Sequence, residues 1–238
     1  MNRMLIIAAS SDLSISYLES IKNDKLDIDV IVRDSSRIPE NILSMIDEVY
    51  EFDMNDLESL NKFISTSKYS QVIFFQGIDI IKPFQLYNTN DISQTFNVNV
   101  LSIISLLNIL ISKKYLLKEA SIVIISSISG VTKGTPGHVL YSSSKAALIG
   151  LVKSLSLELS RRNIRINCIS PGLIETESLF AKNNQILSNE EMLAYDSKYP
   201  LGIGKLDSLN GTIKFLLGTS SKWITGQNLI VDGGNSNV

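Results

Sequence analysis

Seven short runs that read as strands, separated by helix-patterned or polar segments, constrain this chain more than any other feature. They are Met4 to Ala9, Asp29 to Val32, Glu48 to Phe52, Gln71 to Phe75, Ser121 to Ser126, Arg165 to Ile169 and Asn228 to Val231. Their apolar residues tend to be consecutive rather than alternating, the pattern of strands covered on both faces. Parallel strands need crossover connections, and helices supply them on both sides of the sheet. The helix-patterned segments are about Ser14 to Lys22, Asp56 to Ser65, Asp91 to Lys113, Val139 to Arg162 and Ser208 to Gly218, with only Ile38 to Met45 between the second and third strands. The sequence therefore predicts an α/β fold: a doubly wound, seven-stranded parallel sheet with helices on both faces.

A chain of 238 residues suits one domain, residues 1–238, with a core that needs no disulfides. Residues 173–205 form the best candidate for a lid over the substrate, with a short helix expected around Glu190 to Tyr195. The net charge is −2 and 19% of residues are charged. The basic ones are scattered, which argues against nucleic-acid or membrane-surface binding. The longest apolar stretch, around Ile103 to Ile111, is interrupted by Ser105 and Asn108, so no membrane span is expected. Met1 to Ala9 is too short for a signal peptide and is better read as a first strand. The lone cysteine, Cys168, has no partner and suits a reducing cytoplasm.

Chemistry concentrates between Ser121 and Thr176. In a helix from Val139, Tyr141 and Lys145 project from one face within a single turn. An ammonium there would favour the phenolate and lower a pKa that is ordinarily near about 10, making the phenol a usable acid or base. Ser127 ends the preceding strand pattern and can fold back toward Tyr141. Ser126 and Ser129 are fallback hydroxyls. His138, the one histidine, is read as a helix-start residue or a substrate contact. No metal is expected.

With a second strand pattern running into Pro171 and Gly172, this arrangement resembles the short-chain dehydrogenase/reductase family. The resemblance covers nearly the whole chain and is strong from Asn99 onward. It implies a Rossmann-type sheet and a hydride transfer between NADP(H) or NAD(H) and a small carbonyl or alcohol substrate. By the same resemblance Tyr141 is the acid/base, Ser127 positions the substrate oxygen, Lys145 holds the nicotinamide ribose, and Asn99 bends its helix and keeps a water relay. Cofactor contacts are implied at Ala8, Ser10, Ser11, Leu13, Arg33, Asp53, Met54, Gly77, Tyr141, Lys145, Pro171, Gly172, Ile174 and Thr176. Arg33 inclines the choice to NADP(H), although Asp34 follows it.

The sequence departs from the family in the first turn. Where the family reads Thr-Gly-x-x-x-Gly-x-Gly, Ile7 to Ser14 holds no glycine, and Asp12 puts a carboxylate where a diphosphate should meet backbone amides. Asp12 could turn away to cap the helix, and Asp53 could likewise cap the helix at Asp56. Phe74, Phe75 and Gln76 replace the family's Asn-Asn-Ala before Gly77. The Ser127-to-Tyr141 step is one residue longer than the family's commonest spacing. The rival expectation is a degenerate relative that has lost the nucleotide and serves as a binding or scaffold subunit. A homodimer or homotetramer is expected through the two long helices, whose apolar residues include Leu101, Ile104, Leu107, Leu148, Leu151 and Leu155.

Overall fold

The computed structural model describes residues 2–176 and 197–238. In chain order the main elements are β1 (Arg3–Ile7), α1 (Asp12–Ser20), β2 (Asp27–Val32), α2 (Glu40–Leu43), β3 (Glu48–Glu51), α3 (Leu57–Leu60) and β4 (Tyr69–Phe74). There follow α4 (Thr89–Phe96), α5 (Ser102–Ser112), β5 (Leu116–Ile125), α6 (Val139–Leu159), β6 (Arg165–Pro171), α7 (Asn210–Leu217) and β7 (Asn228–Val231). All seven strands lie in one parallel sheet in the order β3-β2-β1-β4-β5-β6-β7. The larger part of the expected lid, 177–196, and with it the helix expected around Glu190, lies outside the described residues.

Two apolar layers sandwich the sheet, as continuous apolar strands require. On one face Leu5, Ile7, Val72, Phe74, Ile122 and Ile124 pack with α5 and α6 residues such as Leu106, Leu110, Leu148 and Val152. On the other face Met4, Ile6, Val30, Ile73 and Val123 pack with Tyr17, Leu18, Ile213 and Leu216. Phe74 and Phe75 belong one to each layer. They are core rather than cleft, which is why the family's polar pair is dispensable there for folding.

Several boundaries differ from expectation. Strand β1 stops at Ile7 because Ala8 turns into the left-handed region at φ 62°. Helix α1 starts two residues early because Ser11, not Asp12, is its cap: Ser11 Oγ accepts from the Ser14 amide at 3.3 Å. Helix α3 has four residues rather than the ten expected. Its cap is Asp56, while Asp53 accepts from the Asn55 amide at 2.8 Å in a local turn. Past Leu60 the Lys62 and Phe63 amides bond three residues back, to Ser59 O and Leu60 O. Further on Ser65 Oγ takes the Ser67 amide and pairs with Tyr69 Oη, leading the chain into β4. Strand β5 starts five residues early, with a register irregularity against β4 and Glu119 at φ 67°.

Helices α4 and α5 run on through a wider π turn, Asn97–Leu101, as one 24-residue helix, Thr89–Ser112. Among the described residues this is one helix long and apolar enough to cross a membrane, contrary to the expectation that no stretch would reach that length. Its most apolar 18-residue window is 56% buried inside the fold, with Ile103, Leu106, Leu107 and Leu110 in the core. Of the apolar residues expected at a subunit interface, Leu107 and Leu148 are core, Leu151 and Leu155 pack against it, and Leu101 and Ile104 are exposed.

One polar network is locked into the sheet end opposite the site. Asp29, fully buried, accepts from Arg3 Nη1 at 2.7 Å and from Tyr69 Oη at 2.9 Å. Burial raises the Asp29 pKa, and the bonds from Tyr69 and Arg3 act against that. Removing the cation would leave a buried carboxylate on one phenol. Arg3→Ala is therefore expected to cost about 3 kcal/mol in denaturant unfolding; a change within about 0.5 kcal/mol would contradict this reading.

Candidate active site

The strand order sets the C-terminal ends of β1, β4 and β5 side by side, with the order reversing between β1 and β4, where open α/β sheets form their crevice. Helix α6 runs past these ends and delivers Lys145 into them. The Lys145 side chain is buried, and its Nζ donates to Ile125 O at 2.9 Å and to Gln76 O at 3.2 Å. Desolvation pulls its pKa down to about 8, while Cys168 and Asp79 act in the opposite direction. Gly77 makes the room: a Cβ there would sit 2.9 Å from Nζ. Close approach also explains Gly130, where a Cβ would meet the Ala146 amide nitrogen at 2.6 Å.

Tyr141 lies beside this ammonium, with Nζ 5.8 Å from the ring centroid. The phenol is not acidified as the spacing suggested. Burial pushes its pKa up to about 12, a hydrogen bond with Ser127 acts downward, and Asp79 adds to the rise. The physical reason is desolvation, which disfavours the phenolate; the two hydrogen bonds recorded for Lys145 Nζ go to carbonyls. Ser127, nearly buried, caps the 3-10 turn Ile128–Gly130 by accepting from the Ser129 amide at 3.2 Å. Ser126 is not a competing hydroxyl, because its Oγ donates to Lys145 O at 2.9 Å.

Asn99 sits in the π turn, fully buried. Its Oδ1 accepts from the Ile78 amide at 2.8 Å, and its Nδ2 donates to Ile78 O and to Ser144 Oγ, both at 2.9 Å. Ser144 Oγ in turn donates to Tyr141 O at 2.7 Å. The amide thus ties the loop after β4 to the first turns of α6. Asn97 reaches only Asn55 at the surface.

The first turn bends without glycine, through Ala8 in the left-handed region. Ala8 takes a conformation that costs a side-chain-bearing residue about 1 kcal/mol or more, and its amide donates to Ile31 O at 2.8 Å. Ser10 and Leu13 are half-buried beside the start of α1, where first-turn amides have no intrahelical acceptor. The Ser14 hydroxyl is buried there without a partner. Asp12 occupies the first helical position and is partly exposed.

The other expected contacts line the rest of this sheet end. Arg33 is exposed just past β2, and Asp34 is occupied locally, accepting from the Ser36 amide and hydroxyl. Asp53 is exposed after β3, while the Met54 side chain is core, which leaves only its backbone for a ligand. Pro171 ends β6 and pairs with Val231, and the Gly172 amide donates to Val231 O at 3.0 Å. Ile174 is buried and bridges to Gly204. Thr176 is half-buried two residues on.

Two features were missed in the sequence. Asp79 Oδ2 lies 2.7 Å from His138 Nδ1, so the histidine side chain faces the loop after β4 rather than capping α6. Gln76 is buried, its Nε2 donating to Ser102 Oγ and its Oε1 without a partner. A pair 59 positions apart leaves no local signal.

Residues 36–236 match the family model described as enoyl-(acyl carrier protein) reductase. The 3-oxoacyl-(acyl-carrier-protein) reductase FabG of Aquifex aeolicus is 32% identical over 77% of this chain and 74% of its own. The chain belongs to the short-chain dehydrogenase/reductase family. The FabG of Chlamydia trachomatis serovar D is 38% identical over 60% of this chain, which spans 55% of that enzyme's length. The solved structure of ElxO with NADP bound is 27% identical, with a TM-score of 0.85 over 100% of this chain and 99% of that one.

Members of this family use a nicotinamide dinucleotide, and the first turn fits one. The left-handed Ala8, the first-turn amides and the orphaned Ser14 hydroxyl leave a polar cradle at the start of α1. Asp12 is its one adverse group. Asp12→Asn is expected to tighten NADPH binding roughly fivefold, since removing a repulsion between partly exposed charges is worth about 1 kcal/mol. Titration of nicotinamide fluorescence reads the change, and unaltered or weaker binding would place Asp12 away from the diphosphate.

Proposed function

We propose that the chain moves hydride between NADP(H), in preference to NAD(H), and a small carbonyl or alcohol substrate, with Tyr141 as the proton donor or acceptor. The observation that carries this reading is the convergence of Tyr141, Ser127 and buried Lys145 at the ends of β4 and β5.

In reduction the Tyr141 hydroxyl gives its proton to the carbonyl oxygen, which Ser127 Oγ positions by a hydrogen bond. A pKa pushed up to about 12 keeps the phenol protonated at neutral pH, the form that donation needs. Asn99 holds the loop after β4 and α6 in register and is the positioning residue for the relay. When bound, the nicotinamide supplies the hydride. Backbone amides of Asp12 and Leu13, with Ser10, Ser11 and Ser14, would hold its diphosphate, Arg33 a 2′-phosphate, Asp53 the adenine side, and Gly77 and Lys145 the ribose. Pro171, Gly172, Ile174 and Thr176 would flank the amide.

The names of the relatives make a 3-oxoacyl thioester the first substrate to try. The scaffold alternative is favoured by Asp12 alone. Exposed Leu101 and Ile104 suit a contact between copies, so a homodimer or homotetramer is the proposed assembly, and an inert buried Cys168 suits the cytoplasm.

Oxidation of NADPH in the presence of acetoacetyl-coenzyme A tests the reading. Tyr141→Phe is expected to lose about a hundredfold or more in kcat with an unchanged unfolding midpoint; undiminished turnover would remove the phenol from the mechanism.

A further inference from the structure

The Asp79–His138 pair stands beside the Tyr141 ring. The imidazole stands edge-on to the Tyr141 ring, with centroids 6.4 Å apart and planes inclined by 69°. Its Nδ1 is 2.7 Å from Asp79 Oδ2, and both side chains are partly open to solvent, at 22% and 25% exposure. Asp79 Oδ1 is buried without a partner. A carboxylate bonded to Nδ1 fixes the tautomer and leaves Nε2 free to carry a proton.

Tyr141 must recover one proton after each reduction. On the Lys145 side, where Nζ is bonded to two carbonyls and the residue is 3% exposed, that proton comes through the relay positioned by Asn99; a second route can open directly to solvent. His138 is partly open to water and in edge contact with the Tyr141 ring. We propose that Asp79 and His138 form a second acid–base couple that returns protons to Tyr141 from the solvent side of the site. An imidazolium Nε2–H gives its proton to the phenolate, directly or through one water, and the neutral imidazole takes another from solvent. No electrons move, and Asp79 stabilises the charged ring throughout. In this scheme His138 and Asp79 are positioning residues that act through Tyr141, and the proposal rests on Tyr141 being the acid.

Since the chain holds one histidine, its 15N imidazole signals need no assignment. In the free protein the neutral ring is expected to carry its proton on Nδ1, and that preference is expected to vanish in Asp79→Ala. A wild-type ring protonated on Nε2 would overturn the pair. With NADPH and acetoacetyl-coenzyme A, His138→Gln is expected to lower kcat about tenfold, leave KM little changed, raise the solvent isotope effect and recover on adding imidazole. Wild-type kcat in that variant would overturn the relay, and Asp79→Ala kinetics give the same test if His138→Gln does not fold. The tautomer is read without turnover. A chain that reduces no ketone therefore fails the reading of Tyr141, while the tautomer still upholds or overturns the pair.

Discussion

The site depends on the burial of one ammonium. Placing Lys145 among the ends of β4, β5 and α6 strips it of water, and the cost is offset only if its protons find acceptors. Two backbone carbonyls at those strand ends, Ile125 O and Gln76 O, meet that need. The bond therefore works in both directions: it keeps the cation in place, and it pins two strands and a helix to one another. Gly77 and Gly130 are the steric conditions for this approach, and the Ser126 and Ser144 hydroxyls hold the α6 backbone beside it.

The same arrangement alters the familiar account of the phenol. Burial is the largest influence on Tyr141, and it holds the phenol in its protonated form. A resting acid suits reduction more than oxidation. Asp79 pushes both groups the same way, favouring the charged lysine and the neutral phenol. A carboxylate clamped by the single histidine is thus the strongest local departure from the bare Ser-Tyr-Lys pattern.

The first turn has lost the motif's glycines yet still bends through one left-handed residue, Ala8. The strand end and the Ser11 cap fix where α1 must begin, and the amide of Ala8 is held by Ile31 O. With both ends fixed, Ala8 accepts a strained conformation that glycine would take freely. Little of this was legible in the sequence. Continuous apolar runs announced the inner strands, where burial on both faces leaves few alternative residue types. Strand β7 falls where its pattern put it although, like β3, it lies at the sheet edge with no residue fully buried. The end of β1 and the start of β5 were not legible: β1 stops at a positive φ at Ala8, and the early part of β5 lies between positive φ values at Lys114 and Glu119, residues that carry no signal for it. Helix α3 was overextended because helical spacing of apolar residues cannot show that Ser65 will bind forward to Ser67 and Tyr69. Tyr141, Lys145 and Ser127 were readable because their spacing is local, whereas Asp79 meets His138 only through the tertiary fold.

The central claim is that a desolvated Lys145 stands at the bottom of a nucleotide cleft. NMR of lysine 13Cε groups, followed through a pH titration with and without NADPH, measures this directly. One lysine signal, absent in Lys145→Met, is expected to titrate near 8 in the free chain and to shift when NADPH is added. A Lys145 signal that titrates with the surface lysines, near about 10.4, and ignores the nucleotide would contradict it.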